Sequence, residues 1–301
     1  MPSTYLSAGV EANASTLLSL QHSEAEAACI DALTDKDRTE VLSFLSLRPI
    51  HTVFMAGLIL DNGLDSPLNR GAFYGHRNQD GQLVGVALIG QKNVIEAHTE
   101  SAFKTLMKLA LSHPRLQLIR GEESRMELLL SYLNDLGQPP RLACREILLE
   151  QTAVCEGLEP VKELCSANPK DLEQIMAINA AMAFEESGTN PLKRDLKGMT
   201  QRTLRRIELG RVWVLAKEGQ IIFKADTISV APKAIFLEGI YVHPRERGRG
   251  IGSRCLTQLG SILLKSAPSL TIVVNQENVR ALALYQRLNY QLRSPYLTVY
   301  F

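Results

Sequence analysis

The residues with the clearest chemical pattern form the run Arg247-Gly248-Arg249-Gly250-Ile251-Gly252. This run follows an apolar segment that ends at Pro244, and it precedes a segment with helical spacing of apolar residues. Glycine lets a backbone approach a ligand closely and adopt a positive φ. The start of a helix adds unpaired N–H groups and the positive end of the helix dipole. Strand, glycine-rich loop and helix in this order predict a pyrophosphate site, and the arginines of the run add positive charge.

The spacing within the loop excludes two common nucleotide-binding patterns. No Lys precedes Ser253, as the P-loop NTPase pattern requires, and glycines at positions 248, 250 and 252 do not fit G-x-G-x-x-G. The pattern that is present is Arg-x-x-Gly-x-Gly, formed by Arg247, Gly250 and Gly252.

Two further segments flank this loop. The preceding strand ends in Tyr241-Val242-His243-Pro244, and a later block contains Asn278, Ala281, Tyr285 and Asn289-Tyr290. In this order and spacing, the three segments resemble the GNAT superfamily of acyl-CoA-dependent N-acyltransferases.

The resemblance implies acetyl-CoA as the acyl donor and assigns roles to individual residues. The strand at residues 234–242 would splay from the strand at residues 270–274, and the pantetheine arm would lie between them like an added strand. Amides from Gly248 to Ser253 would hold the pyrophosphate, and Asn278 would bond to the pantetheine or its phosphate. The donor-binding residues expected from the resemblance are Ile240, Tyr241, Val242, Arg247, Gly248, Arg249, Gly250, Ile251, Gly252, Ser253, Asn278 and Tyr285.

Acyl transfer to an amine needs an unprotonated amine, a polarised thioester carbonyl and an acid for the leaving thiolate. An amine with a pKa of about 10 is almost wholly protonated at pH 7, so a base is useful. The resemblance gives Tyr285 as the acid. Glu238 is the candidate base, because strand alternation predicts that Phe236, Glu238 and Ile240 share one face. The alternative is that Glu238 only binds the substrate.

Comparison within the superfamily bears on the acceptor. Histone-acetylating members carry a glutamate base at the position of Phe236, so this sequence departs from their pattern. Aminoglycoside-acetylating members often have a similar Glu-Gly-x-Tyr-Val run, which implies an acidic pocket for cationic amines. Glu185-Glu186 is predicted to lie in a loop between two helices, where GNAT proteins usually build the acceptor pocket. The expected substrate-binding residues are therefore Glu185, Glu186 and Glu238, and the alternative for the first two is a solvated loop.

The same order of predicted elements occurs in both halves of the chain. Apolar hairpins surround Asp80-Gly81-Gln82 and Glu218-Gly219-Gln220, and each is followed by a strand, a helix, a strand, a helix and a closing strand. A strand is also predicted at residues 161–165. The predicted fold is α/β (α+β), with two tandem GNAT-like domains, each a mixed, mostly antiparallel twisted sheet flanked by helices. The alternative is two unrelated α/β domains.

The predicted boundaries are an N-terminal extension at residues 1–34, a degenerate GNAT-like domain at 35–150 and a catalytic GNAT acyltransferase domain at 151–301. In the first half, Glu96-Ala97-His98-Thr99-Glu100 stands where the glycine-rich loop would be, and its carboxylates would repel a pyrophosphate. One donor site is therefore expected. The degenerate half would shape the acceptor site or serve as an assembly surface. The run Arg70-Gly71-Ala72-Phe73-Tyr74-Gly75 also resembles a two-domain bacterial GNAT subgroup, and the layout is similar to that of mycothiol synthase.

Composition limits the remaining classes of function. The chain of 301 residues is 45% hydrophobic and 22% charged with a net charge of +1, so no global field favours nucleic acid or a membrane. The five cysteines include no C-x-x-C pair, and neither a disulfide framework nor a metal site is predicted. No secretory signal or membrane-spanning run is visible, which predicts a cytoplasmic protein. We expect an N-acetyltransferase acting on a small-molecule or peptide amine as a monomer or homodimer; the alternative is a non-catalytic acyl-CoA sensor or interaction module.

Overall fold

The computed structural model describes residues 29–301, so the predicted extension at residues 1–34 lies almost wholly outside the described part. The strands are β1 Cys29–Ala32, β2 Gly71–Arg77, β3 Leu83–Gly90, β4 Lys92–Ala97, β5 Leu118–Glu122, β6 Leu142–Gln151, β7 Cys165–Ser166, β8 Val212–Lys217, β9 Gln220–Ala231, β10 Ala234–Val242, β11 Leu270–Asn275 and β12 Gln291–Tyr300. The α-helices are α1 Arg38–Leu45, α2 Pro49–Asn62, α3 Glu100–Leu111, α4 Glu123–Asp135, α5 Leu172–Ser187, α6 Pro191–Glu208, α7 Ile251–Leu263 and α8 Val279–Arg287.

All these strands form one 12-stranded sheet in the order β1-β2-β3-β4-β5-β12-β6-β11-β10-β9-β8-β7. The pairs β4–β5 and β10–β11 are parallel, and the other pairs are antiparallel. From one edge to the centre the order is β1-β2-β3-β4-β5-β12, and from the other edge it is β7-β8-β9-β10-β11-β6. The two halves therefore place equivalent strands at equivalent positions of the sheet. The predicted fold class, two tandem GNAT-like halves with mostly antiparallel sheets, is confirmed.

The closing strands of the two halves are exchanged. β6 was predicted to close the first half, but it pairs with β11 of the second half, with Leu270 opposite Gln151. β12 pairs with β5 of the first half, with Tyr300 opposite Leu118. β6 and β12 then pair with each other at the centre. The sheet is thus continuous across the predicted boundary at residue 150, and the division into domains stays a prediction.

Helix α2 of the first half packs on the sheet of the second half. Its approach to β9 is close, because a Cβ on Gly57 would lie 1.8 Å from Ser229 Oγ. Ser229 Oγ donates a hydrogen bond to the carbonyl of Val53 at 2.7 Å. Helix α2 was not predicted from the sequence, since its residues are apolar on nearly every side and give no amphipathic signal. This helix makes one wall of the cavity described below.

Two predicted elements differ from the structure. The strand predicted at residues 161–165 is reduced to the two residues of β7. Glu185 and Glu186 lie in the last turn of α5 rather than in a loop, and α6 begins soon after, at Pro191. Within residues 29–301, no helix combines the length and apolar composition that a membrane span requires.

Candidate active site

Strands β10 and β11 separate after a short stretch of pairing. They pair from Ile235 opposite Leu270 to Leu237 opposite Ile272. Beyond this point β10 continues only with β9, and β11 continues only with β6 among the described strands. The predicted splay is therefore present, and the edge of β10 that faces the gap can pair with an extended ligand.

A β-bulge lies where the two strands separate. Glu238 is opposite Asp226 and Tyr241 is opposite Lys224, so β10 holds one more residue than β9 over this stretch. Gly239, within the bulge, has φ +62°, a conformation that glycine adopts at low cost. Lys224, which is fully buried, donates a hydrogen bond from Nζ to the Gly239 carbonyl at 3.0 Å. A buried ammonium group thus holds the bulge in place.

The bulge also reverses the alternation of side chains along β10. Phe236 packs on the face covered by α2, and Glu238 lines the cavity on that side. Ile240 packs on the opposite face, with the core that contains Leu237. The prediction that Phe236, Glu238 and Ile240 share one face is wrong, because the extra residue shifts the period by one.

The glycine-rich loop leads from β10 into α7. Gly248 and Gly250 both have φ +77°, and Gly250 is the N-cap of α7 with no side-chain hydrogen bond to the first turn. Gly252 packs against β10, since a Cβ there would lie 3.3 Å from Val242 Cγ2. Arg247 donates from Nε to the Val242 carbonyl at 3.0 Å. The first amides of α7 therefore have no side-chain cap, a geometry suited to a phosphate.

The remaining predicted donor residues surround this loop. Ile251 is buried under the loop and Ser253 is half-buried in the first turn of α7, while Arg249 pairs with Glu246 at 3.2 Å. The Tyr241 ring is half-buried on the strand that leads into the loop. These positions are compatible with the predicted roles, which stay predictions.

The equivalent places in the first half are taken by the chain's own side chains. Thr99 caps α3, its Oγ1 accepting from the Ala102 amide at 3.1 Å. β4 and β5 also separate after a short stretch of pairing. Arg48 spans that gap, donating to Glu96 at 2.9 Å and to Glu122 at 2.6 Å. Both the helix start and the splay of this half are thus occupied.

Tyr285 and Asn278 lie on α8, as predicted, but differ in exposure. Tyr285 is 4% exposed, and its ring lies 5.4 Å from that of Tyr290. Burial raises the pKa of Tyr285, so its hydroxyl stays protonated. Asn278 is exposed and caps α8, with Oδ1 accepting from the Ala281 amide at 3.1 Å. Its amide nitrogen remains available as a donor.

A cavity of about 1510 Å³ lies between the two halves of the chain. The first half contributes residues of α2, β4 and β5, and the second half contributes residues of α5, α6 and β10. Glu238, Gly239 and Val273 line it at the point where β10 and β11 separate. The cavity therefore meets the splay at the bulge.

Cationic side chains surround Glu238 in this cavity. Arg120, from β5 of the first half, places Nη1 3.6 Å from Glu238 Oε1. Burial acts to raise the pKa of Glu238, but the positive charges of Lys92, Arg120, Arg206 and Lys224 outweigh it and hold that pKa below its usual value. The pocket around Glu238 is thus cationic, and the expectation of an acidic pocket is wrong. Arg120 was not predicted as a site residue, because no local sequence pattern marks a side chain that the other half supplies.

The two glutamates of α5 occupy different environments. Glu186 lines the cavity and accepts a hydrogen bond from the Tyr300 hydroxyl at 3.2 Å. Burial raises the pKa of Glu186, and Arg120 at 4.0 Å opposes this effect. Both side chains are exposed, Glu186 to the cavity, whereas Glu185 is not among the residues that line it. The structure brings Glu186, but not Glu185, to the same cavity as Glu238.

Comparison with known proteins identifies the class. Residues 208–292 match the family model of the acetyltransferase (GNAT) domain. This segment contains the bulge, the splay, the glycine-rich loop and α8. Residues 208–292 are therefore identified as a GNAT acetyltransferase domain.

Individual relatives agree with this class. A 58-residue segment is 41% identical to thialysine N-epsilon-acetyltransferase of Bos taurus, covering 19% of this chain and 34% of that protein. The chain thus spans about a third of the length of this relative. A Drosophila protein of known structure has a TM-score of 0.66 at 14% identity, over 91% of this chain and 99% of that one. A tandem GNAT protein from the clavulanic acid biosynthesis pathway has a TM-score of 0.53 at 13% identity, over 91% of this chain and 98% of that one. At these identities the structural matches establish the fold.

Proposed function

We propose that the protein transfers an acetyl group from acetyl-CoA to an amine of a small molecule or peptide. One observation carries the proposal. The splay beyond Leu237 and Ile272 has the uncapped start of α7 on one side and the inter-half cavity on the other. A donor held by the loop and an acceptor held in the cavity would meet at the bulge around Gly239.

The donor is held mainly by backbone groups in this proposal. Amides from Gly248 to Ser253 bind the pyrophosphate at the start of α7. The free edge of β10 at Ile240 and Val242 pairs with the pantetheine arm. N–H groups on this edge also polarise the thioester carbonyl. The Asn278 amide group contributes one further hydrogen bond from the neighbouring helix.

The reaction is direct attack of the amine on the thioester carbon. A C–N bond forms, the C–S bond breaks, and the amine loses a proton. Glu238 stays ionised through the neutral range, because the surrounding cations lower its pKa. It orients the amine and accepts its proton as attack makes the nitrogen acidic. Tyr285, protonated at every working pH, donates to the departing thiolate.

The first half is proposed to form one wall of the acceptor cavity rather than a second catalytic unit. Arg48 fills its splay, and Thr99 caps its equivalent helix. The half supplies Lys92 and Arg120 to the cavity that contains Glu238. One donor per chain is therefore expected.

The test is release of the CoA thiol from acetyl-CoA in the presence of a panel of amines. Gly250→Ala should weaken acetyl-CoA binding about tenfold, because it strains the loop at φ +77°. Gly219→Ala is the matched control, since Gly219 has φ +78° in a hairpin turn where an added Cβ would have no atom within 4 Å. Binding of acetyl-CoA with no amine-dependent thiol release would reject the enzyme and favour an acyl-CoA-binding module. Equal effects of the two variants would reject the loop as the donor site.

A further inference from the structure

The cavity between the halves has an excess of positive charge. Among the residues that line it, twelve are arginine or lysine and seven are aspartate or glutamate. Five arginines form ion pairs with these carboxylates: Arg48, Arg120, Arg202, Arg206 and Arg211. The other cations form no ion pair with a carboxylate within residues 29–301: Arg70, Lys92, Arg115, Arg125, Arg141, Arg194 and Arg205. The cavity therefore favours an anion.

Phosphates of the donor do not account for this charge. The predicted pyrophosphate site is the loop that leads into α7. None of its residues, Arg247 to Ser253, lines the cavity. The cavity cations belong to the acceptor side of the splay, so the anion that they suit is part of the acceptor.

One of these cations, Lys92, interacts electrostatically with Glu238, and a second, Arg70, interacts with Lys92. Lys92 begins β4, and its exposed side chain lines the cavity. Partial desolvation by the cavity walls lowers the pKa of Lys92, the Glu238 carboxylate opposes that effect, and Arg120 and Arg70 add to it. The charge of Lys92 is thus attracted by Glu238 and repelled by Arg70.

Arg70 precedes β2 and is half-buried against the residue next to Lys92. Its guanidinium donates to the side-chain oxygen of Gln91, a neutral group. Burial lowers the pKa of Arg70, and the nearby charge of Arg202 from α6 lowers it further. Arg202 is itself paired with Asp195 at 3.0 Å. The Asp195 carboxylate opposes these effects from a longer distance, but no carboxylate of the described chain lies within 4.0 Å of the Arg70 guanidinium, so its desolvated charge forms no direct ion pair.

The backbone of Arg70 is held in an unusual conformation. Its φ of 58° and ψ of 27° fall in the left-handed region, which residues other than glycine rarely adopt. Gly90 lies against it, because a Cβ on Gly90 would be 2.2 Å from the Arg70 carbonyl oxygen. Strained residues that the surrounding structure maintains concentrate at functional sites. The packing of Gly90 thus maintains the left-handed backbone of Arg70, whose side chain is part of the cavity wall.

We propose that the acceptor carries an anionic group, a carboxylate or a phosphate, in addition to its amine. Arg70 and Lys92 bind the anion, and the amine faces Glu238. A simple cationic amine would meet net repulsion in this cavity, whereas a molecule with both charges matches both the cations and Glu238. The inference rests on the proposed acetyl transfer and names the class of its acceptor.

The test uses pairs of amines that differ only in the anion. Phosphoethanolamine is compared with ethanolamine, and 5-aminopentanoate is compared with pentylamine, with thiol release from acetyl-CoA as the readout. For at least one pair, we expect the anionic member to have a kcat/KM about 10- to 100-fold higher, as for a charge-assisted hydrogen bond. A preference for phosphoethanolamine indicates a phosphate site, and a preference for 5-aminopentanoate indicates a carboxylate site. A second readout, calorimetric titration of the same amines into CoA-loaded protein, does not depend on turnover.

Two variants assign the anion site. Arg70→Gln and Lys92→Gln should each lower the ratio of kcat/KM for the anionic amine to kcat/KM for its partner without the anion by about tenfold or more, mainly through KM. Lys197→Gln is the control, because Lys197 is an exposed lysine on α6 that does not line the cavity. Thermal unfolding confirms that each variant is folded.

The outcomes separate this inference from the proposed function. Turnover of the amines that lack the anion as efficient as that of their anionic partners would overturn the anion site and leave acetyl transfer intact. A different outcome would reject acetyl transfer and still support the anion site. In that case no amine causes thiol release, the anionic amines bind more tightly than their partners without the anion, and Arg70→Gln abolishes this difference in affinity. Anion preference that survives both variants would also overturn the assignment.

Discussion

Replacing Gly239 with alanine is expected to damage both the fold and the donor site. Gly239 has φ +62°, and a Cβ there would lie 2.7 Å from Lys224 Nζ and 3.1 Å from Asp226 Oδ2. Lys224 is fully buried, so its ammonium group cannot swing away into solvent. To admit the methyl group, Lys224 must give up its 3.0 Å hydrogen bond to the Gly239 carbonyl or shift its 2.9 Å ion pair with Asp226.

The magnitude follows from two contributions. A left-handed conformation costs an alanine about 1–2 kcal/mol. Losing a hydrogen bond to a buried charged group costs about 1.5–3 kcal/mol more. The free energy of unfolding should therefore fall by roughly 3–5 kcal/mol, which lowers the Tm by roughly 6–20 °C for a chain of this size. Because the bulge sets the free edge of β10, affinity for acetyl-CoA should fall as well.

Differential scanning calorimetry and titration with acetyl-CoA measure the two effects. Gly219→Ala again serves as control, since its φ of +78° brings the same backbone strain without a contact. It should lower the Tm by only roughly 2–8 °C and leave acetyl-CoA affinity unchanged. If Gly239→Ala lowers the Tm and the affinity no more than Gly219→Ala does, the buried Lys224 does not hold the bulge and the reasoning is refuted.

Three further predictions concern single side chains. Tyr285→Phe should lower kcat about 100-fold with acetyl-CoA affinity unchanged, measured by steady-state kinetics; an equal loss in Tyr290→Phe, the neighbouring ring at 5.4 Å, would contradict the role of the Tyr285 hydroxyl. Because cations lower the pKa of Glu238, its carboxylate stays ionised between pH 8 and the usual pKa range of a glutamate. The pH profile of kcat/KM should therefore follow only deprotonation of the amine. An inflection near neutral pH that Glu238→Gln removes would contradict this prediction. Arg48→Met leaves the Glu96 and Glu122 carboxylates facing each other across the gap between β4 and β5, and should lower the free energy of unfolding by roughly 1–3 kcal/mol. Calorimetric titration should still find one acetyl-CoA per chain, whereas binding of a second would show that Arg48 alone blocks that half.

Local chemistry explains which elements could be predicted from the sequence. β10 has the predicted bounds, because a mostly apolar run there is bounded by Lys233 and Pro244. Helix α2 was missed, since apolar residues on all sides give no helical period. The exchange of β6 and β12 was also missed, because an apolar pattern fixes that a strand is buried but not which strand lies beside it.

The donor side and the acceptor side of the candidate site differ in how far the sequence predicted them. The donor loop was located because backbone amides, glycines and a helix start are contiguous in sequence. The acceptor side was described wrongly, because Lys92 and Arg120 come from the first half and reach Glu238 only in the folded sheet. One signal was overlooked: Lys224 and Asp226 are the only charged residues of strand β9, and both are buried beneath the bulge.

The exchange of closing strands has a consequence for how the chain folds. Neither half can complete its sheet from its own residues, since β5 pairs with β12 of the second half and β11 pairs with β6 of the first half. During synthesis the first half must therefore remain unfinished until residues 291–300 have been made. Contacts between β5 and β12 join segments far apart in sequence, which slows folding. Once formed, they link the halves into one cooperative unit, so thermal unfolding should show a single transition, and neither half should be stable when expressed alone.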